Sequence, residues 1–228
     1  MNNHFTYFII LGASLGGPLL LSFDKKVAFY KSYKYLFPAM LLPALLYILW
    51  DFYFTAKGVW SFNPEYITGI KIYNLPIEEV LFFFVVPYCC VFIYQCIKTY
   101  FPNLKNKSGG NVILITIGLA LWVVGIIFHA KHYTSWTFIL NALFIAAIYS
   151  QKDHIKLFDA TTFLISYCIM LIPFLIVNGF LTALPVVQYN DAENLGIRIY
   201  SIPFEDIFYG MLLIMMTIVI YEKLKNKV

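Results

Sequence analysis

Two short runs carry the acid chemistry that the apolar part of this sequence can offer: Pro76-Ile-Glu78-Glu79 and Pro203-Phe-Glu205-Asp206. Each is followed at once by apolar sequence, Val80-Leu-Phe-Phe-Phe-Val-Val after the first and Ile207-Phe-Tyr-Gly-Met-Leu-Leu after the second. Proline suits the first turn of a helix, and acids there complement the positive end of the helix dipole, so either run alone is an ordinary helix start. Carboxyl groups at the edge of a membrane-like run are costly, however, and by default mark function. A carboxyl beside another in an apolar wall resists ionisation, through lost hydration and like-charge repulsion, and can serve as a general acid. Adjacent residues on a helix point about 100° apart, so each pair offers one member to a shared cavity. Glu78 and Glu205, identical between the runs, are the first choice for proton donor. Glu79 and Asp206 would tune them or act as the base.

The elements that must position these acids follow from composition. Of 228 residues, 61% are hydrophobic and 12% charged, half the roughly 25% charge of a soluble domain. Seven apolar stretches approach the ~20 residues that cross a bilayer core: Phe5–Phe23, Tyr35–Phe54, Glu78–Cys96, Val112–Phe128, Tyr133–Tyr149, Thr161–Leu181 and Pro203–Tyr221. The first lacks a basic leader and a clear small-residue cleavage site, so it is expected to be a retained helix. With the N-terminus placed outside, twelve of the 16 Lys and Arg fall on the inner side, leaving Lys57, Lys71, Lys131 and Arg198 outside. That asymmetry is the positive-inside pattern, and it puts the C-terminus in the cytoplasm. The net charge of +4 is then a topological device with no bearing on nucleic acid.

Gly69–Glu79 aligns without a gap on Gly196–Asp206, with six of eleven positions identical. The same register sets Thr55 on Thr182, Ala56 on Ala183 and Asn63 on Asn190. Apolar stretches match by composition alone, but polar and glycine positions do not. The alignment moves the chain by four spans, so spans 1–3 correspond to spans 5–7 in the same orientation, a parallel 3+1+3 repeat. The expected divisions are 1–100 for the first repeat, 101–130 for the connecting fourth helix, and 131–228 for the second repeat.

Other polar groups sit near the acids. Asp51 and its counterpart Asn178 stand at the outer ends of spans 2 and 6, and Trp50, Trp60, Tyr73 and Tyr200 crowd the same level. An interfacial aromatic belt accounts for such residues; a cavity whose aromatic faces steady a cation is the sharper reading. Asp51, Trp60, Tyr73, Tyr200 and Asn178 are therefore the candidate substrate-binding residues. Cys89, Cys90, Cys96 and Cys168 fall in or at the ends of spans and match no zinc spacing. His4, His129, His132 and His154 lie in loops or at an end, and no metal site is expected. Gly12-Ala-Ser-Leu-Gly16-Gly17 lacks a preceding strand and reads as a close helix–helix contact. The last span has no lysine before Lys223, which speaks against a retinal Schiff base.

The duplicated Pro-x-Glu-Glu/Asp motif opening an aromatic-rich helix, with Gly69 and Gly196 upstream, resembles the lycopene cyclase domain family, membrane-integral carotenoid cyclases found as two small subunits or one fused chain. The likeness covers nearly the whole chain, as two fused subunit-like halves, Tyr7–Cys96 and Tyr133–Tyr221. Fungal fusions carry a prenyl-synthase domain as well, for which this chain is expected to be too short. The resemblance implies a proton-initiated, redox-neutral cyclisation of the ψ-ends of lycopene to cyclohexene rings, with β-ionone rings as the expected product. It implies Glu78, Glu79, Glu205 and Asp206 as catalytic groups, no cofactor, and no flavin. The expected partners are a lipid-soluble linear carotenoid, membrane lipid and other carotenoid-pathway enzymes, at the cytoplasmic membrane. The second pair is Glu-Asp where the first is Glu-Glu, so the halves need not share the chemistry equally. The rival reading is a small-solute transporter, since such carriers also use a 3+1+3 parallel repeat.

Overall fold

The computed structural model describes residues 3–104, 109–150 and 158–226. Lys105, Lys107, Lys152, Lys156, Lys227 and His154, which entered the charge and histidine arguments, lie outside the described residues. Seven helices are long and apolar enough to cross a membrane: α1 (Thr6–Leu21), α2 (Tyr33–Lys57), α3 (Ile77–Tyr100), α4 (Gly109–Ile127), α5 (His132–Ser150), α6 (Ala160–Ala183) and α7 (Glu205–Lys225). Among the described residues each anticipated span thus coincides with such a helix, with ends shifted by a few residues. Pro38, Pro43, Pro87 and Pro173 lie inside helices, which a bundle tolerates when neighbouring groups serve the freed carbonyls. Gly58 closes α2 in the left-handed conformation, at φ 71°, and the Asp159 side chain opens α6 by accepting from Thr162 N.

The short strands explain the duplicated motif. β1 (Trp60–Phe62) follows α2; β2 (Lys71–Ile72) and β3 (Leu75–Pro76) precede α3; β4 (Val187–Tyr189) follows α6; β5 (Arg198–Ile199) and β6 (Ile202–Pro203) precede α7. The β2–β3 ribbon pairs Lys71 with Pro76, and β5–β6 pairs Arg198 with Pro203, in the same register. Ile77 N donates to Ile70 O at 2.9 Å, and Phe204 N donates to Ile197 O at 2.9 Å. Gly69 and Gly196 adopt φ 82° and 72°, a region only glycine enters at no steric cost. Each motif is thus a ribbon that turns the chain back and delivers an acid pair into the first turn of a helix.

Between the two segments, β1 pairs antiparallel with β4, centred on Ser61 opposite Gln188. Helix packing crosses between them too. α1 lies on α3 and α5 on α7, while α2 packs more against α7 than against α3, and α6 more against α3 than against α7. α4 lies against α5 and α6.

The glycine expectation needs correction. A Cβ at Gly12, Gly16 or Gly17 would meet nothing within 4 Å, so the α1 glycines make no close helix contact. The tight contacts belong to α4 instead: a Cβ at Gly110 would fall 2.5 Å from Thr161 N, and one at Gly125 would fall 2.8 Å from Ile139 Cγ1. Lipid gives no hydrophobic drive for helices to associate, so close approach of this kind carries the packing. In α4 it seats the helix on its neighbours.

Candidate active site

The four acids of the motifs divide into two kinds. Glu78 turns back toward the loop before its ribbon, where its Oε1 accepts from Thr68 N at 2.7 Å. Glu205 does the same in the second segment, accepting from Leu195 N at 2.8 Å and from the Thr134 hydroxyl at 2.6 Å. Both are fully buried and bind the loops that end in Gly69 and Gly196. Glu79 and Asp206, one residue on, face a common cavity between α1, α3, α5, α6 and α7. The preference for Glu78 and Glu205 as the cavity-facing pair is therefore reversed. The 100° step along a helix does send one member of each pair inward, but it is the second member.

Each cavity acid is held by hydrogen bonds. The Tyr7 hydroxyl, from α1, donates to Glu79 Oε2 at 2.6 Å. Asp206 accepts from three donors: the Tyr133 hydroxyl on Oδ1, and Asn178 Nδ2 at 3.1 Å and the Tyr189 hydroxyl at 3.0 Å on Oδ2. Asp51, 1% exposed, accepts from Trp60 Nε1 behind the cavity wall. All these donors come from the same sequence segment as their acid. Tyr7, Trp60 and Thr68 serve the first, and Tyr133, Thr134, Asn178, Tyr189 and Leu195 serve the second.

The rest of the wall is aromatic. Trp60 and Tyr189 face each other across the β1–β4 pair, so that pair roofs the cavity. Tyr133 stacks on Tyr189 with ring centroids 5.8 Å apart, and Trp60 meets Tyr133 edge-on at 5.2 Å. Tyr209 lies 5.9 Å from both Trp60 and Tyr133. Free space inside is about 40 Å³, enough for only a few waters.

Of the substrate-binding candidates, Trp60 and Asn178 line the cavity and Asp51 braces Trp60 from behind. Tyr73 and Tyr200 do not belong to it. They occupy the ribbon tips at φ 57° and 59° and are 80% and 86% exposed, positions that suit interfacial aromatics. The Arg198 guanidinium binds Ser201 O at 2.7 Å and Asp191 Oδ1 at 2.5 Å. That contact holds the exposed Asp191 carboxyl below its usual range. Sequence reasoning missed Tyr7, Tyr133, Tyr189 and Tyr209. Tyr7 and Tyr133 lie in the first turns of α1 and α5, one residue out of the repeat register, which sets Tyr7 on Thr134.

A family model described as lycopene cyclase matches residues 4–97 and 130–224. Among curated relatives, a bifunctional lycopene cyclase/phytoene synthase of Aspergillus niger is 31% identical over 78 residues, covering 32% of this chain and 13% of the relative. A protein of the same description from Neurospora crassa is 24% identical over 115 residues, covering 44% of this chain and 19% of the relative. A lycopene beta-cyclase of Halobacterium salinarum is 47% identical over 47 residues, covering 21% of this chain and 20% of the relative. The matched stretches thus span a fifth or less of those relatives' own lengths. No solved structure matches the chain. With both matched segments together taking in most of its length, and each bringing one acid to the shared cavity, this chain belongs to the lycopene cyclase family.

Proposed function

We propose that this protein cyclises the ψ-ends of lycopene, with Glu79 as the proton donor and Asp206 as the base. The observation that carries the reading is that Glu79 and Asp206, from the two matched segments, line one cavity walled by Trp60, Tyr133, Tyr189 and Tyr209. In this scheme the Glu79 carboxyl adds its proton to C2 of the terminal double bond, leaving a cation at C1. The electrons of the C5–C6 double bond form the C1–C6 bond and move the cation to C5. Loss of the C6 proton to Asp206 gives the β-type ring, with no net redox change. Three donors on Asp206 suit a carboxylate base, whereas among the described residues Glu79 has the Tyr7 hydroxyl alone. Tyrosine and tryptophan faces steady the cation between the two proton transfers. Glu78 and Glu205 hold the ribbons that aim these acids.

The same reading gives the architecture. The two halves form a parallel 3+1+3 repeat with α4 as connector, divided at about residues 100 and 130. It is supported by the matching ribbon registers, by the β1–β4 pair centred on counterpart residues, and by the two matched segments. The loops that carry the acids face outward and the C-terminus lies in the cytoplasm, as the lysine distribution requires. A small-solute transporter is not favoured. Family membership points to cyclisation, and the acids meet near one end of the bundle, whereas a carrier binds its solute near the midplane.

The test is expression in bacteria that accumulate lycopene, with pigments separated by chromatography. Ring-bearing products that vanish in the Glu79→Gln/Asp206→Asn variant are expected. Unchanged lycopene with verified membrane expression of the unaltered chain would overturn the assignment.

A further inference from the structure

The acid cavity is too small for the branched hydrocarbon end it would have to enclose, and among the described residues a groove on one side of the bundle adjoins it. A lateral groove between α1, α3 and α6 holds about 160 Å³ of free space and has almost wholly apolar walls, among them Val85, Cys89, Met170 and Val177. Phe82, Val86 and Phe174 belong to both this groove and the cavity, so the two spaces adjoin through those side chains.

A counterpart groove lies between α2, α5 and α7. It is lined by residues at matching places in the other half: Leu212 for Val85, Met216 for Cys89, and Trp50 for Val177. It is larger, about 600 Å³, yet shares no wall with the cavity. The reason lies at the junction, where Phe82 and Phe174 are replaced by Tyr209 and Tyr47. The Tyr47 hydroxyl donates to Tyr209 O at 2.8 Å, the two rings lie 4.7 Å apart, and Trp50 packs 5.1 Å from Tyr209. These three large rings close off that side.

We propose that the groove between α1, α3 and α6 binds the polyene chain of the substrate and is its single door, so that the reacting end slides sideways from the bilayer past Val86 to the acids. This rests on the cyclase reading above. Its occupant is a long unbranched-path hydrocarbon, because the walls are apolar and the groove adjoins the reacting centre. Rotation of Phe82 and Phe174, the rings that line both spaces, opens the cavity to the end group.

The test uses the full chain in lycopene-accumulating bacteria, with each variant normalised to its membrane level and checked for monodisperse elution in detergent. Val177→Trp copies the closed side onto the open one, and Val86→Phe narrows the junction. Leu46→Trp places the same bulk in the opposite groove. At least a tenfold fall in ring-bearing pigment is expected for Val177→Trp and Val86→Phe, with Leu46→Trp within twofold of the unaltered chain. In purified Glu79→Gln protein, resonance Raman spectra of added lycopene should show bound polyene that Val177→Trp removes and Leu46→Trp retains. Full activity in both blocking variants, an equal loss in Leu46→Trp, or phospholipid that added lycopene cannot displace from the Glu79→Gln protein would overturn the proposal. Absence of rings from the unaltered chain would instead strike at the cyclase reading itself.

Discussion

The hydroxyl of Tyr7 donates to Oε2 of Glu79 at 2.6 Å, joining the first and third helices at the acid itself. Replacing Tyr7 by Phe removes that bond and leaves the ring. As Glu79 gives up its proton this becomes a hydrogen bond to a charged group, which contributes about 1.5–3 kcal/mol, so ring formation should slow by up to roughly ten- to a hundredfold. Pigment formed per unit of protein over a time course measures it. An unaltered rate would show that Tyr7 does not position the acid.

Neighbouring acids should behave oppositely. Glu79→Gln removes the transferable proton and should lower ring formation by about two orders of magnitude or more. Glu78→Gln keeps an oxygen to accept from Thr68 N and should retain most activity. Glu78→Ala leaves that N–H without its acceptor, at a cost of about 1–3 kcal/mol, read as a lower unfolding temperature in detergent. Equal loss of product from Glu78→Gln and Glu79→Gln would contradict the division of roles.

Gly110 allows α4 to touch the start of α6. The Cβ of an alanine there would lie 2.5 Å from Thr161 N and 2.7 Å from its Cα, and backbone cannot move aside as a flexible side chain can. Gly110→Ala should destabilise the protein by about 1–3 kcal/mol through overpacking. Gly12→Ala, where a Cβ meets nothing within 4 Å, should leave stability unchanged. Thermal unfolding of the two purified variants decides it, and equal behaviour would refute the close contact.

At the far end of the bundle Lys98 Nζ meets Glu222 Oε1 at 2.6 Å, with the glutamate side chain only 3% exposed. Lys98→Met removes the ion-pair partner of that carboxyl, leaving Asn226 Nδ2 on its other oxygen at 3.2 Å, and should cost about 1–3 kcal/mol. Because half the pair is then the liability, Lys98→Met/Glu222→Met should recover much of the loss. A double variant less stable than Lys98→Met would show that the pair contributes more than its own burial costs.

The helices and the acid motifs were legible because lipid imposes length and apolarity on every span, and because the ribbon before α3 recurs before α7 down to Gly69 and Gly196. Which acid faces inward was not legible. Glu78 and Glu79 sit on one helix, and only the position of Thr68 N, set by the preceding loop, draws Glu78 away. Tyr7 and Tyr133 were hidden for another reason: a tyrosine at the start of a span looks the same whether it meets a headgroup or a buried carboxyl. Tyr73 and Tyr200 show the converse, being aromatic, motif-borne and outside the cavity. The α1 glycines misled because spacing reveals that a helix can be approached closely, not which helix is.

Among the described residues, the carboxyls in and around the cavity take their hydrogen bonds from their own matched segment, while the packing of α2 on α7, α6 on α3 and β1 on β4 joins the two segments. This separation governs biogenesis. A ribosome releases α1 to α3 on the order of ten seconds before α7 exists. The donors of Glu79 and Asp51, Tyr7 and Trp60, are already synthesised over that interval. Uncapped carboxyls in lipid are costly. Each matched segment therefore carries the donors its own acids need, and its apolar flank is what the other segment covers. A gene severed within the α4 region would still yield two pieces that find each other in the membrane plane.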